Sequence, residues 1–354
     1  MNNKMQRIEF NSIIYLVIRA AFVGITLINL IFISHQDGYL ALIIASILGL
    51  IPFYFYMRII KSKKTFLELF ESSFGKIIKW IIFIIVFLYC VLIFWNLINF
   101  ISSQYLFNTP RFVIGLVFII PIIYLNIKGV RVIGRISLFL IYISIFLFLI
   151  ALFGLIFQTD FSNVLPFMES RIPNLLYSTL SVISYCVSPL LFLTVIPKDE
   201  LDEKISFKSS LPIYFWTFFT LFWAVFLIIC VYGYRMALLL DYPAFQILKR
   251  ISIVSFVERI EHFLFMRWIF DIFICLSLGV NFMKSYFNKK SGHIPLYLIC
   301  ILLFICSINL FKNKTAALKY ILNLLPSLFF IFLIILPIII YLIKKRSIAS
   351  FKNS

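Results

Sequence analysis

Long apolar runs recur along the whole chain, and they constrain its fold more than any other feature. As helices, runs of roughly 18 residues or more are long enough to cross a hydrocarbon core of about 30 Å. The mean hydropathy is +1.07, and 43 of the 354 residues are Phe, which excludes an ordinary soluble domain. The sequence therefore predicts an all-α polytopic membrane protein.

The apolar runs divide into ten predicted transmembrane helices. They lie near residues 12–33, 39–58, 78–101, 112–127, 136–157, 175–197, 212–234, 263–283, 294–311 and 321–343. The first run follows a basic segment, lacks a small-x-small cleavage site and is longer than the apolar part of a signal peptide, so we predict an uncleaved span. No soluble domain remains, and residues 1–354 are predicted to form a single membrane domain.

The basic residues lie in short groups between the apolar runs. When the ten spans alternate across the membrane, 21 of the 32 Lys and Arg residues fall on the side of the N-terminus and nine on the opposite side. Because Lys and Arg accumulate in cytoplasmic loops, both termini are predicted to be cytoplasmic. The net charge of +18 is therefore interpreted as a membrane orientation signal rather than a nucleic-acid surface. Segment 235–262 is predicted to be an extracellular helical loop.

Ten spans divide into two sets of five, residues 1–157 and 158–354. Because five is odd, the two sets enter the membrane from opposite sides, so related halves are inverted repeats. Transporters with this five-plus-five architecture bind substrate near the membrane midplane, where the first helix of each half is interrupted. The sequence therefore directs attention to spans 1 and 6.

Spans 1 and 6 both carry small or helix-breaking residues near their middle, in "RAAFVGIT" and "SYCVSPLL". Unwinding there frees backbone N–H and C=O groups, which a small zwitterion such as an amino acid can use. Small and polar residues also serve close helix packing and interhelical hydrogen bonds, so a structural role stays open. The candidate ligand-binding residues are Arg19, Ala21, Gly24, Thr26, Asn96, Asn99, Ser184, Ser188, Pro189 and Asp271.

Three charged residues fall within predicted spans. Arg267 and Asp271 are four residues apart on one face of span 8, and Arg19 lies in span 1. A charge in the bilayer is costly and usually faces protein or water. Asp271 therefore pairs with Arg267 or with Arg19. Alternatively, Arg19 meets a ligand carboxylate, or Arg267 extends to the outer boundary of the membrane.

The stretch "RISIVSFVERIEHFLFMRWIFDIF", residues 250–273, concentrates charge just before and into span 8. Its outer part is interpreted as a gate or a docking face for partner subunits. The alternative is a solvated pair of interfacial helices that caps the bundle. The candidate residues are Arg250, Glu258, Arg259 and Glu261.

Enzymatic signatures are absent from the sequence. It contains no Gly-rich phosphate loop, no paired catalytic carboxylates at a membrane face and no nucleophile motif. The three His residues are widely scattered, and the six Cys residues all fall inside predicted spans without a CxxC pair. We therefore predict no enzyme, no metal site and no cofactor.

Short motifs along the chain follow a familiar order. They are "QDGYLALI", "TFLELFESSFGKIIKWI", "NTPRFVIG", "KGVRVIGRIS", "NVLPF" and "YPAFQILKRISIVSFVERIEHFLFMRWIF". Together they resemble the B-subunit (GerAB-type) family of spore germination receptors over nearly the whole chain. That family is similar to the amino acid–polyamine–organocation (APC) transporters, so the resemblance implies the LeuT/APC-like inverted-repeat fold.

The resemblance also implies a role in the inner membrane of a bacterial spore. A GerAB-type subunit is expected to bind a small nutrient germinant, often an amino acid, and to work with a larger A-subunit and a C-subunit lipoprotein. No nucleic-acid partner is expected. A transporter that moves an amino acid or a cation by alternating access is the alternative, since a fold alone does not settle function. A third interpretation is a scaffold that anchors the partner subunits or helps to form an ion conduit.

Overall fold

Helices account for most of the backbone that the structure describes. A computed structural model describes residues 4–62, 66–70, 73–251, 260–287, 292–310 and 314–350. The α-helices are α1 Arg7–Arg19, α2 Leu27–Ser34, α3 Gly38–Leu48, α4 Leu50–Ile60, α5 Ser73–Gln104, α6 Arg111–Lys128, α7 Val130–Ile156, α8 Ile172–Val182, α9 Phe207–Leu239, α10 Pro243–Gln246, α11 Ile260–Lys284, α12 Ile294–Asn309, α13 Lys314–Asn323, α14 Leu325–Phe329 and α15 Leu336–Ser350. Within these ranges the only β pairing is an isolated bridge between Met5 and Leu201.

Several helical stretches are long and apolar enough to cross a membrane. Eight such stretches occur in the described residues, and the first, Arg7–Ile60, is 54 residues long because it includes α1 to α4. The 16-residue α12 is apolar but shorter. These lengths and compositions confirm the predicted all-α polytopic membrane protein.

Helix α7 illustrates how the bundle is arranged for lipid. Ser137 and Ser144 are fully buried against other helices, whereas Phe139, Phe146 and Phe153 are more than 60% exposed. Each set repeats every seven residues, so the small polar side chains share one face and the phenylalanines share another. This inside-out pattern is expected where the surrounding solvent is hydrocarbon and small residues allow helices to approach.

Helix α1 lies at the centre of the bundle. Its side chains from Ile13 to Ile18 are all buried, and it packs against α7, α9 and α11. Helix α2 continues from it and packs against α8. The two interrupted helices predicted from the sequence therefore lie side by side in the interior.

The segment that follows α9 folds back onto the bundle. Helix α9 changes direction at Gly233, which has φ +66° and ψ 159°, and α10 with a 3₁₀ turn at Ile247–Arg250 follows. Ile247, Leu248 and Ile251 are buried. The described part of this segment, up to Ile251, therefore covers one end of the bundle.

Candidate functional site

The first helix is broken between α1 and α2. Val23 has an extended conformation (φ −75°, ψ 131°), and Gly24 lies in the left-handed region (φ +77°, ψ −8°). A side-chain carbon on Gly24 would lie 2.9 Å from Nδ2 of Asn96 and 2.9 Å from Cε1 of Tyr242. Glycine tolerates a positive φ and has no Cβ, so it satisfies both constraints at this position.

Side chains from two other helices donate hydrogen bonds to backbone carbonyl groups that the break exposes. The Trp268 indole on α11 donates a 3.1 Å hydrogen bond to the Ala20 carbonyl, and the Asn96 amide on α5 donates a 2.7 Å bond to the Val23 carbonyl. An unsatisfied carbonyl inside a membrane costs several kcal/mol. The break is therefore stable because α5 and α11 supply donors to it.

Thr26 closes the break from the α2 side. Its backbone N–H and its hydroxyl both donate to the Ala21 carbonyl, at 3.1 and 2.9 Å. The same hydroxyl lies 3.6 Å from the Cys186 sulfur in the second interrupted helix. Candidate residues Ala21, Gly24, Thr26 and Asn96 thus meet at one place.

Asn99 lies one turn along α5 from Asn96 and bonds to Tyr242, which lies above the break. The Asn99 side-chain amide donates a 3.0 Å hydrogen bond to the Tyr242 hydroxyl, and its side-chain oxygen accepts a 3.4 Å hydrogen bond from Arg111. Tyr242 precedes α10 and is 3% exposed. The tyrosine therefore covers Gly24 from the side of the bundle that was predicted to face outward.

An aromatic cluster surrounds Tyr242, and sequence reasoning did not identify it. Phe100 is its hub, with ring-centroid distances of 4.9 Å to Tyr242, 4.6 Å to Phe265 and 5.1 Å to Trp268. Phe245 also contacts Phe100, at 5.4 Å. These residues come from α5, α10, α11 and the segment before α10, so only the tertiary fold assembles them. They lie between the break and the end of the bundle that was predicted to face outward.

Three charged side chains lie below this cluster. An Arg19 amino group is 3.2 Å from Oδ2 of Asp271, and both side chains are at least 90% buried. Arg19 also donates to the hydroxyls of Tyr15 and Ser144, the latter at 3.2 Å. Of the two pairings that the sequence left open, the structure has Arg19 with Asp271.

Arg267 stands apart from that ion pair. Its guanidinium lies over the Phe148 ring, 5.4 Å from the centroid, and its Nη1 is buried without a hydrogen-bond partner. Arg267, Arg19 and Asp271 all line a cavity of about 30 Å³ together with Phe22 and Trp268. This volume holds one or two water molecules.

The second interruption differs in kind from the first. After α8 the chain forms a π-helical turn at Ile183–Val187 and a 3₁₀ helix at Ser188–Val195, with Pro189 in its first turn. The Ser184 hydroxyl donates to the Leu180 carbonyl at 2.7 Å, and the Ser188 hydroxyl donates to the Ser184 carbonyl at 2.5 Å. The winding changes but the segment stays helical, and both hydroxyls bond to their own helix.

The candidate gate residues are only partly covered by the structure. Glu258 and Arg259 lie outside the described residues. The Arg250 guanidinium lies over the Tyr232 ring at 4.8 Å. Glu261 lies 3.3 Å from Nδ1 of His262. Arg250 and Glu261 therefore have different neighbours.

Glu261 influences a tyrosine at the end of α5. Burial, with a smaller contribution from the Glu261 carboxylate, raises the pKa of Tyr105 to about 12. The Tyr105 ring lies edge-on to His262, with the centroids 4.7 Å apart. This group extends the aromatic cluster to the predicted outer end of the bundle.

Comparison with known proteins identifies the family. The profile described as spore germination protein (Spore_permease) matches residues 7–316. The chain belongs to this spore germination protein family. It is 24% identical over 264 residues to YfkT of Bacillus subtilis (strain 168), a protein named for spore germination, covering 70% of this chain and 69% of that one.

Solved structures show a related fold. Two variants of the Eremococcus coleocola manganese transporter align with TM-scores of 0.57 and 0.56 at 15% identity, covering 94% of this chain and 78% of theirs. These neighbours are APC-type transporters, so the chain has an all-helical fold similar to that of this type of transporter. In the described ranges, no three His, Cys, Asp or Glu side chains are grouped closely enough to hold a metal ion. At 15% identity the likeness concerns the fold alone.

Family and fold together define the coarse role. The chain is a multi-pass membrane protein of the spore inner membrane, with a transporter-like fold. The family is one of permeases or receptor subunits and the structural neighbours are transporters, which is consistent with a protein that is not an enzyme.

Proposed function

We propose that this chain is the integral-membrane subunit of a nutrient germinant receptor. A small nutrient binds beside the break in the first helix, shifts the bundle between two conformations and thereby signals germination. The observation that carries the proposal is the break at Val23 and Gly24, held by Asn96 and Trp268 from two other helices. A ligand at this point competes for contacts of several helices, so it can prefer one conformation over another.

The finer architecture is part of the proposal. Ten spans form two inverted sets of five, residues 1–157 and 158–354, with both termini in the cytoplasm. The interruptions after α1 and within residues 183–195 support this arrangement, because inverted-repeat transporters interrupt the first helix of each half. The contact between Thr26 and Cys186 supports a shared site between the two interruptions.

The charges near the break favour a ligand that carries a carboxylate. Two guanidinium groups, Arg19 and Arg267, share the cavity with the single carboxylate of Asp271. Arginine stays protonated in proteins, so the group keeps an excess positive charge even when Asp271 is ionised. An uncompensated charge inside a membrane is costly. The carboxylate of an amino acid would reduce that cost, whereas a neutral sugar would not.

The partners follow from the family resemblance. We infer that an A-subunit with soluble domains and a C-subunit lipoprotein assemble with this chain in the spore membrane. Arg250 and Glu261, with Glu258 and Arg259 between them in sequence, are the proposed gate or docking residues at the outer end. The burial of Ile247 and Leu248 supports this, because it ties the segment to the bundle and lets it follow movements there.

The experiment is ligand binding by thermal shift on the purified chain. The probes are the common L-amino acids, each compared with its carboxamide derivative, which lacks the carboxylate. Glucose and inosine serve as neutral compounds. The variant is Gly24→Ala, and the matched control is Gly129→Ala, because Gly129 also has a positive φ but a Cβ added there would have no atom within 4 Å. We expect an amino acid to stabilise the wild type and Gly129→Ala, but not Gly24→Ala.

Two results would count against the proposal. If no compound stabilises well-folded protein, the nutrient site is absent from this chain, which then acts as a scaffold for its partners. If a ligand stabilises Gly24→Ala as much as the wild type, the site lies away from the break. A neutral sugar that binds at the break would refute only the carboxylate preference.

Transport by alternating access is the second candidate function. The transporter-like fold favours it, and Asp271 supplies the intramembrane carboxylate that proton coupling requires. Uptake of the stabilising amino acid into proteoliposomes, with and without a pH gradient, separates the two functions. Binding without uptake supports a sensor, whereas uptake that depends on the pH gradient supports a proton-coupled transporter.

A further inference from the structure

A groove opens on the bundle surface where α1, α7 and α9 meet. Its volume is about 610 Å³, within the range of about 300–1,000 Å³ typical of small-molecule sites. Among its lining residues are Arg7 and Asn11 from α1, Tyr142 and Ile145 from α7, and Ile213 and Trp216 from α9. The nutrient site described above shares none of these residues, so the groove is a separate feature.

The polarity of the groove changes along its length. Arg7, Asn11 and Ser209 lie near the N-terminal ends of α1 and α9, and Asn11 donates a 3.3 Å hydrogen bond to the Ser209 carbonyl. Ile145 and Trp216 lie further along their helices. Seven residues separate Ser209 from Trp216, which corresponds to about 10 Å of helix. One end is thus polar and the other apolar.

Basic residues continue beyond the polar end. Arg135 precedes the lining residue Leu138 by three positions on α7 and is exposed, which puts it on the same helix face. Lys208, also exposed, precedes Ser209 on α9. The acidic Glu9 of α1 instead lies against Gly134, and its carboxylate accepts the Gln6 backbone N–H at 2.8 Å. The rim therefore favours an anion.

We propose that an anionic phospholipid binds in this groove. Its phosphate contacts Arg7 and Arg135, and an acyl chain runs along Ile145 and Trp216. A phospholipid fits because it joins a negative headgroup to an apolar chain, which matches the two ends of the groove. The side that carries Arg7 is the one predicted to be cytoplasmic, where anionic lipids attract basic segments next to the membrane.

A lipid bound in this groove would restrict the movement of α1. Helix α1 is the part of the first span before the break at Gly24, and the groove separates part of its surface from α7 and α9. A lipid that bridges the three helices holds α1 in the observed position. Rotation of α1 about the break then requires the lipid to move with it or to leave.

Quenching of tryptophan fluorescence tests this site. The full chain is reconstituted in phosphatidylcholine vesicles that contain a small share of brominated phosphatidylglycerol or brominated phosphatidylcholine. The Trp216 contribution is the difference between the wild type and Trp216→Phe. We expect brominated phosphatidylglycerol to quench that contribution at a several-fold lower mole fraction than brominated phosphatidylcholine.

Charge variants separate a site from general attraction to a basic protein. Arg7→Gln combined with Arg135→Gln should abolish the lipid preference, whereas Arg58→Gln combined with Lys61→Gln, at the end of α4, should retain it. Equal quenching of the wild type by both lipids overturns the proposal, as does a preference that survives in the Arg7 and Arg135 variant. Should that variant fail to fold, Arg135→Gln alone replaces it, and an undiminished lipid preference in that variant overturns the proposal.

Discussion

The two interrupted helices at the centre of the bundle differ in backbone conformation and in the partners of their hydrogen bonds. At the first break the backbone leaves the helical region at Val23 and Gly24, and its carbonyls bond to Asn96 and Trp268 on other helices. At the second, residues 183–195 only change their winding, and the serine hydroxyls bond within the same helix. The first break is thus unwound and held by donors from two other helices, whereas the second stays helical and receives a 2.7 Å hydrogen bond from the Tyr89 hydroxyl of α5 at its Tyr185 carbonyl.

This difference indicates where a ligand signal can enter. A break held by side chains of α5 and α11 links the positions of three helices, so a disturbance there reaches all of them. The second interruption keeps a helical backbone and is linked by the Tyr89 hydroxyl to α5, so a disturbance there meets less unwound backbone. We therefore expect substitutions around the first break to change stability and ligand response strongly, and those in the second to change them little.

The largest effect is expected from removing the charge partner of Arg19 at the end of α1. Asp271→Asn leaves Arg19 buried without its carboxylate, and breaking a buried ion pair in this way costs about 3–5 kcal/mol. A large fall in the melting temperature of the purified protein would report it. Arg267→Gln is the matched change, and it should leave stability unchanged or increase it, because Arg267 has no hydrogen-bond partner for Nη1. Equal losses in both variants would contradict this assignment of the ion pair.

The next effect concerns the backbone of the first break. Gly24→Ala requires a left-handed alanine and a shift of Asn96 and Tyr242, a combined cost of about 2–4 kcal/mol. Gly129→Ala has the positive φ without the close contacts, so it should cost only about 1 kcal/mol. Melting temperatures of the two variants measure the difference. If they fall equally, the contacts around Gly24 contribute nothing.

A smaller effect is expected from removing one hydrogen bond to the break. Trp268→Phe keeps an aromatic ring in the cluster but leaves the Ala20 carbonyl without the indole donor, which costs about 1–3 kcal/mol. Trp80 is 47% exposed on α5, so Trp80→Phe serves as the control and should change stability by less than about 0.5 kcal/mol. Thermal melting of both variants tests the comparison, and a loss confined to Trp80→Phe would refute it.

The smallest effect is expected in the second interruption. The Ser188 hydroxyl bonds to the Ser184 carbonyl four residues earlier, and such local bonds add little to helix stability. Ser188→Ala should therefore change the free energy of unfolding by less than about 1 kcal/mol and preserve the ligand-induced thermal shift. A complete loss of that shift with unchanged stability would mean that the second helix contacts the ligand directly, and the contrast between the two breaks would disappear.

Much of the fold followed from the pattern of apolar residues. Helices long enough to cross the membrane must satisfy their backbone internally, so long apolar runs leave few alternatives. The break at Gly24 was also predictable, because glycine amid apolar neighbours marks a point where the chain can adopt a positive φ. Ser184 and Ser188 suggested unwinding equally well, but their hydroxyls bond within the helix, which residue type alone does not reveal.

The sequence could not choose between candidate partners on the same helix and on a distant one. Arg267 and Asp271 satisfied the spacing rule for a pair on one helix, yet Asp271 lies against Arg19, 252 positions away. Helix spacing shows which side chains share a face, but not which other helix packs against it. The same holds for Tyr242 and Phe100, whose contact depends on how the segment after α9 folds back.

By itself, the sequence determined a polytopic helical membrane protein that resembles the spore germination family, and it marked Gly24 as a candidate break in the first helix. Hydrophobic length and the conformational freedom of glycine are local properties, so they can be deduced without knowing the fold. Only the tertiary structure decided that Arg19 pairs with Asp271, that Asn96 and Trp268 hold the break, and that an aromatic cluster covers it. These contacts join residues far apart in the chain, and packing of the helices selects them from several partners of equal chemistry.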